Sequence, residues 1–178
     1  MRKVIHVGDT APILQVTDVW GKTVSIPDSE KWTYLSFHRF AACPFCNLRT
    51  NELIRNYERF QQNRVEVVSL WPSSKDHLLQ FAGDEPTPFP LISDEKMQIY
   101  KAYGVTESSF VGAFRLLLHP KLMVGALKSR RKDIDFDGDP KLMPASFLID
   151  PEGRVKMAYY GRHFGDHPDI QTILDHVS

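Results

Sequence analysis

The only two cysteines of the chain, Cys43 and Cys46, stand where a strand passes into a helix, and no other feature limits its fold and chemistry as tightly. The stretch Thr33 to Gln62 reads TYLSFHRFAACPFCNLRTNELIRNYERFQQ. Tyr34, Leu35 and Phe37 form an apolar strand, and after a short loop Leu53, Tyr57 and Phe60 recur at helical spacing. A thiol at a helix start faces unpaired backbone N–H groups and the positive end of the helix dipole, which favours thiolate. Two intervening residues let the sulfurs meet across one turn, so dithiol and disulfide can interconvert without refolding. The arrangement suits redox or nucleophilic chemistry, with at least one thiol expected below the usual pKa of about 8.5.

Strand and helix alternate around this join. Leu14, Val16, Val24 and Ile26 flank the turn-like Trp20-Gly21-Lys22 and predict an N-terminal hairpin. Val65 to Leu70 reads as a strand buried on both faces, and Ser73 or Ser74 as the cap of a helix carrying Leu78, Leu79 and Phe81. Leu91-Ile92 and a capping Asp94 precede a helix with Ile99, Tyr100 and Tyr103 that Gly104 ends. Ala145 to Asp150 and Val155 to Tyr160 predict a second hairpin, and Asp166 a cap for a closing helix carrying Ile170, Ile173, Leu174 and Val177. This order implies a single α/β domain over residues 1–178, its central mixed sheet flanked by helices, with an apolar helical insert at about 106–140.

Lys plus Arg equal Asp plus Glu at 22 each, so no global field draws the chain to nucleic acid or an anionic membrane. The opening MRKVIHVGDTAPIL lacks the apolar run of a signal peptide, no uninterrupted stretch of apolar residues is long enough for a membrane span, and a cytoplasmic location is expected. In a reducing compartment a CxxC is catalytic or metal-binding more often than a structural staple. Two thiolates are half a structural zinc site, and Asn47 after Cys46 departs from the haem-attachment pattern, so neither metal nor cofactor is expected. His38 reads as a packed histidine. Arg162, His163, Asp166 and His167 read as a cap with exposed neighbours, and the basic run Lys128 to Lys132 as a solvated helix end.

The segments VGDTAP, YLSFHRFAACPFC, DEKMQIYKAYGV and PASFLIDPEGRV resemble the thioredoxin-like superfamily, and within it the AhpC/TSA peroxiredoxin branch. An arginine shortly before a CPxC motif, together with the ending YYGRHFGDHPDIQTIL, is most similar to the peroxiredoxin-like-2 group. The resemblance implies a thioredoxin-like fold of peroxiredoxin type. Laid on the PxxxTxxC loop of typical peroxiredoxins, Arg39 takes the proline position, Cys43 the threonine and Cys46 the peroxide-attacking cysteine. Pro144 stands where those proteins carry an arginine, and instead matches the proline that thioredoxins hold in cis opposite their CxxC.

The resemblance therefore implies a thiol oxidoreductase with Cys43, Cys46 and Arg39 as catalytic residues and Pro144, Pro44 and Phe45 facing the substrate. As a peroxidase, Cys46 would attack and Cys43 resolve; as a disulfide oxidoreductase the roles reverse. A peroxide or a disulfide would be the substrate and thioredoxin, glutaredoxin or glutathione the reductant, and a homodimer is compatible with the frame. An alternative from another class is a redox sensor whose disulfide switches a partner surface on residues 106–140.

Overall fold

The computed structural model describes residues 4–82, 87–105, 124, 137–139 and 141–177. Five strands make one mixed sheet in the order β5-β4-β3-β6-β7. The central strand is β3 (Trp32–Phe37); β4 (Val65–Trp71) and β5 (Leu91–Ser93) run parallel to it on one side. On the other side β6 (Ala145–Ile149) is antiparallel to β3, and β7 (Val155–Tyr160) to β6. A separate hairpin pairs β1 (Leu14–Thr17) with β2 (Thr23–Ile26). Its turn is closed by the Asp18 carboxylate, which accepts from the N–H groups of Trp20 (3.0 Å) and Lys22 (2.8 Å), with Gly21 at φ +94°.

Two-residue alternation sends successive side chains of the central strands into two separate cores. Tyr34, Val65, Val67 and Leu148 meet Leu53 of α1 (Pro44–Arg55), Phe60 of α2 (Tyr57–Gln62), Leu78 of α3 (Lys75–Ala82) and Ile173 of α5 (Ile170–Leu174). Both cysteines belong to this core. On the opposite face Leu35, Phe37, Val68, Leu70 and Phe147 meet Val24 and Ile26 of the hairpin and Ile99 and Tyr100 of α4 (Gln98–Ala102). There Phe37 packs edge-on against Tyr100 (4.9 Å between centroids) and Phe147 (5.6 Å). A sheet covered on both faces explains why its inner strands read as near-continuous apolar runs.

Two local features differ from the sequence reading, and one lies beyond it. The expected single helix after the cysteines breaks at Asn56 (φ −104°, ψ 6°), where the side-chain amide donates to Glu52 O at 2.9 Å and competes with the helical pattern. The closing helix is capped by Asp169, which accepts from Gln171 N at 2.8 Å. Asp166 is already engaged elsewhere, accepting from Tyr159 Oη (2.6 Å) and Arg162 N (2.7 Å). The 106–140 insert, with its basic run, lies outside the described residues apart from Val124 and residues 137–139.

The Asp94 cap holds in an extended form. Met97 takes a left-handed conformation (φ 56°), so the Asp94 carboxylate reaches three successive N–H groups, those of Gln98 (2.9 Å), Ile99 (2.7 Å) and Tyr100 (3.1 Å). Tyr100 Oη in turn lies 2.6 Å from His38 O and 2.8 Å from Leu70 O, pinning the ends of β3 and β4 where the cysteine loop begins. Removing the carboxylate orphans these donors. Asp94→Ala should cost about 1–3 kcal/mol, read as a lower urea midpoint at unchanged slope.

Candidate active site

The strand β3 delivers the site. His38 N donates to Leu70 O (2.9 Å) and carries the ladder one step beyond Phe37; the chain then turns, with Cys43 N donating to Phe40 O (3.0 Å). Pro44 opens α1 at the one position where a missing N–H loses nothing. Cys43 is thereby the N-cap residue, in extended conformation (φ −69°, ψ 114°), and Cys46 lies in the first turn. Both are free thiols with 0% exposure. With its amide nitrogen turned toward the loop, the buried Asn47 donates to Cys43 O (3.1 Å) and Ala41 O (3.2 Å). Ala41 N is anchored to Ser73 Oγ (2.8 Å), which donates to Asp137 Oδ1 (2.9 Å), and Asp137 Oδ2 meets His77 Nδ1 at 2.6 Å. Gly138 follows so closely against Phe40 that a Cβ there would overlap the ring's own Cβ.

Arg39 is buried, 4% exposed, and not the surface arginine its polarity would suggest. Its backbone N–H donates to Cys46 Sγ (3.3 Å), Nη1 lies 3.5 Å from Cys43 Sγ, and Nε donates to Leu142 O (2.7 Å). The guanidinium lies over Phe164, 3.7 Å from the ring centroid, with Phe40 at 5.1 Å. One residue thus touches both sulfurs and ties them to the segment that leads into β6.

The two thiols are driven apart electrostatically. Burial opposes ionisation of Cys43, but the Cys46 thiol, the Arg39 charge, the Cys46 amide and the Arg39 hydrogen bond outweigh it and bring Cys43 down to about 7. Burial pushes Cys46 well above the usual thiol range, reinforced by its hydrogen bond to Cys43 and the Cys43 charge; Arg39 only partly offsets this. The lowered thiol expected at the helix start is therefore Cys43.

Pro144 lies one residue before the Phe37–Ala145 pair, beside His38 at the end of β3. Its carbonyl accepts from Gly161 N (2.9 Å). The cis bond expected before it is absent: among the described residues only Ile26–Pro27 is cis, and Met143–Pro144 is trans. In trans the segment runs directly from Leu142, held by Arg39, into the β6–β7 ladder. Phe45 points elsewhere, lining a cleft with Leu48, Arg49 and His167.

Sequence reasoning missed Arg49, 3% exposed, whose Nη2 donates to Tyr34 Oη (2.7 Å) and Nη1 to Glu52 (2.7 Å). Its spacing from Cys46 and Leu53 would have placed it on the inward face of α1. His38 is packed as expected, stacked on Trp71 at 4.1 Å, and burial followed by the Arg49 charge lowers it to about 3. His167 departs from its expected exposure, since both ring nitrogens are buried and its ring centroid lies 5.9 Å from that of His38. Among the described residues no three His, Cys, Asp or Glu side chains are grouped to hold a metal ion, and no helix is long and apolar enough to cross a membrane.

The AhpC/TSA family model matches residues 7–158. The chain belongs to the AhpC/TSA family. It is a peroxiredoxin-like thiol oxidoreductase on a thioredoxin-like fold. Among AhpC/TSA relatives, Peroxiredoxin Bcp of Escherichia coli is 26% identical over 168 residues, covering 93% of this chain and 92% of its own. Peroxiredoxin-like 2C of Bos taurus is 22% identical over 174 residues, covering 92% of this chain and 76% of its own. The crystal structure of Peroxidoxin BcpB from Mycobacterium tuberculosis superposes with a TM-score of 0.68 at 16% identity, over 96% of this chain and 95% of that one. The peroxiredoxin-type fold expected from the motifs is thus the fold observed, while Arg39 and Pro144 keep this AhpC/TSA site distinct from the PxxxTxxC pattern.

Because Arg39 stabilises the Cys43 thiolate, its removal raises the Cys43 pKa. Alkylation by iodoacetamide should rise with pH through a midpoint near 7 at Cys43. In Arg39→Met the midpoint should move to higher pH by about one unit or more, with Cys46 modified only in alkali in both proteins.

Proposed function

We propose that this protein reduces peroxides through Cys43 as the attacking thiolate and Cys46 as the resolving thiol. The observation that carries the reading is the contact of Cys46 and Arg39 with the Cys43 sulfur, which favours its ionisation, while burial and the hydrogen bond to Cys43 keep Cys46 protonated. The Cys43 thiolate attacks one peroxide oxygen, the O–O bond breaks, and the alcohol or water leaves with a proton, giving a Cys43 sulfenic acid. Cys46 then attacks the Cys43 sulfur, releasing water and forming the disulfide, and an external thiol returns both residues to thiols. The guanidinium of Arg39 stabilises the first thiolate and offers N–H donors to the peroxide oxygen, where typical peroxiredoxins use an arginine on the later strand. Of the three apolar residues expected to face the substrate, Pro44 and Pro144 are kept in that role, whereas Phe45 turns to the cleft with Leu48, Arg49 and His167.

This assignment reverses the one obtained by laying the chain on the peroxiredoxin loop pattern, and it rests on charge and position at the helix start. Thioredoxin, glutaredoxin or glutathione fit as reductants of an exchange-competent CxxC, and a cytoplasmic single domain, alone or as a homodimer, fits a dithiol that must be kept reduced. The N-cap position of Cys43 also favours a second reading, reduction of protein disulfides, in which the same thiolate attacks sulfur instead of oxygen.

Peroxide consumption and insulin reduction, measured side by side with dithiothreitol as reductant, separate the two. Peroxidase function predicts oxidation by hydrogen peroxide orders of magnitude faster than that of free cysteine, lost in Cys43→Ser, with the first oxidation retained in Cys46→Ser. A peroxide rate no greater than that of free cysteine, with insulin reduction dependent on Cys43, would replace this reading by the second.

A further inference from the structure

A second site lies one helical turn from the cysteines, where α1 faces the 165–169 loop. A cleft of about 360 Å³ opens between that helix and the 165–169 loop, lined by Phe45, Leu48, Arg49, Arg55, His167 and Pro168, with Glu52 and Asp169 at its edges. Its base is polar and unsatisfied. Arg49 Nε and both ring nitrogens of His167 are buried without a hydrogen-bond partner among the described residues, and the two ring nitrogens of His38 behind them are likewise unpaired. Each such group costs about 1–3 kcal/mol unless something bonds to it. Neither sulfur is among the residues lining this cleft.

The groups that line it select the ligand. Arg49 gives an Nη1–H to Glu52 and an Nη2–H to Tyr34, and Nε is its nitrogen with no partner among the described residues. Burial, then the Arg49, His38 and His163 charges, keeps His167 neutral, so its ring offers one N–H and one acceptor. Arg55 is exposed at the mouth with no ion pair among the described residues. Two donors at the base and one cation at the rim fit a monoanion. The Glu52 and Asp169 carboxylates oppose a dianionic phosphate, and Phe45, Leu48 and Pro168 offer apolar surface to a short carbon chain.

We propose that this cleft binds a small organic carboxylate, its oxygens accepting from Arg49 Nε–H and a ring N–H of His167, with Arg55 pairing the charge from the rim. The site is independent of the redox reading, since no ligand atom need reach a sulfur. The carboxylate belongs either to a substrate whose reactive end extends toward the CPFC loop or to a separate effector.

Butyrate, a monoanion with a short carbon chain, is the probe, titrated calorimetrically into the Cys43→Ser/Cys46→Ser protein so that no redox step contributes. Saturable one-to-one binding is expected, with butyramide silent. Arg55→Ala and His167→Gln should each weaken it about tenfold or more, the loss of one charge-assisted or buried hydrogen bond. Histidine ¹⁵N shifts should move at His167 on addition of butyrate to the otherwise unaltered chain. Competition of butyrate with peroxide or thiol in wild-type turnover would assign the carboxylate to the substrate, and binding with turnover unchanged would make it an effector; both keep the site. Absence of saturable binding, or binding equal in folded Arg55→Ala and His167→Gln proteins, would overturn it.

Discussion

The contact of Arg39 with the two sulfurs is the interaction on which the rest of the site depends. It joins three pieces of chain that are far apart in sequence: its own N–H reaches Cys46, its guanidinium reaches Cys43, and its Nε holds Leu142 O before β6. A buried guanidinium is tolerated only where its donors are used and its charge is answered. Here the aromatic faces of Phe164 and Phe40 shield the cation, and an ionised Cys43 gives it a counter-charge. The arginine and the thiolate therefore stabilise each other inside a core that would reject either alone.

The same low-dielectric setting prevents both cysteines from ionising together. Two thiolates one helical turn apart would repel strongly, so the pair shares one charge, and the hydrogen bond from Cys46, with Arg39, places it on Cys43. Cys46, hydrogen-bonded to Cys43 and deeper in α1, is held as the neutral partner. A division of roles between attacking and resolving thiol thus follows from position before any substrate arrives. Around it, the loop is fixed by hydrogen bonds from Asn47 and from the Ser73–Asp137–His77 chain.

Much of this was legible in the sequence, because local signals and tertiary packing agree. Alternating and continuous apolar runs gave the strands, Gly21 and Gly153 marked the two hairpin turns, and the spacing of Cys43, Cys46 and Arg39 pointed to the site. What stayed hidden depends on long-range partners. Asp166 reads as a helix cap until Tyr159 Oη claims its carboxylate, and Pro144 resembles a cis proline until the Arg39–Leu142 and Gly161–Pro144 bonds fix its path. Helical spacing puts Arg49 on the inward face of α1 but does not announce its partner Tyr34, and nothing local announces that the ring nitrogens of His167 are buried. Which cysteine is ionised was likewise open, since it depends on where a guanidinium from another segment comes to rest.

The central claim is that Cys43 meets the oxidant first. Its most direct test is to treat the reduced wild-type protein with substoichiometric hydrogen peroxide in the presence of dimedone and locate the adduct by peptide mass spectrometry. The account predicts the sulfenic acid adduct on Cys43, with the remainder of the oxidised protein in the Cys43–Cys46 disulfide. An adduct found on Cys46 would contradict it and restore the order of attack that the peroxiredoxin loop pattern implies.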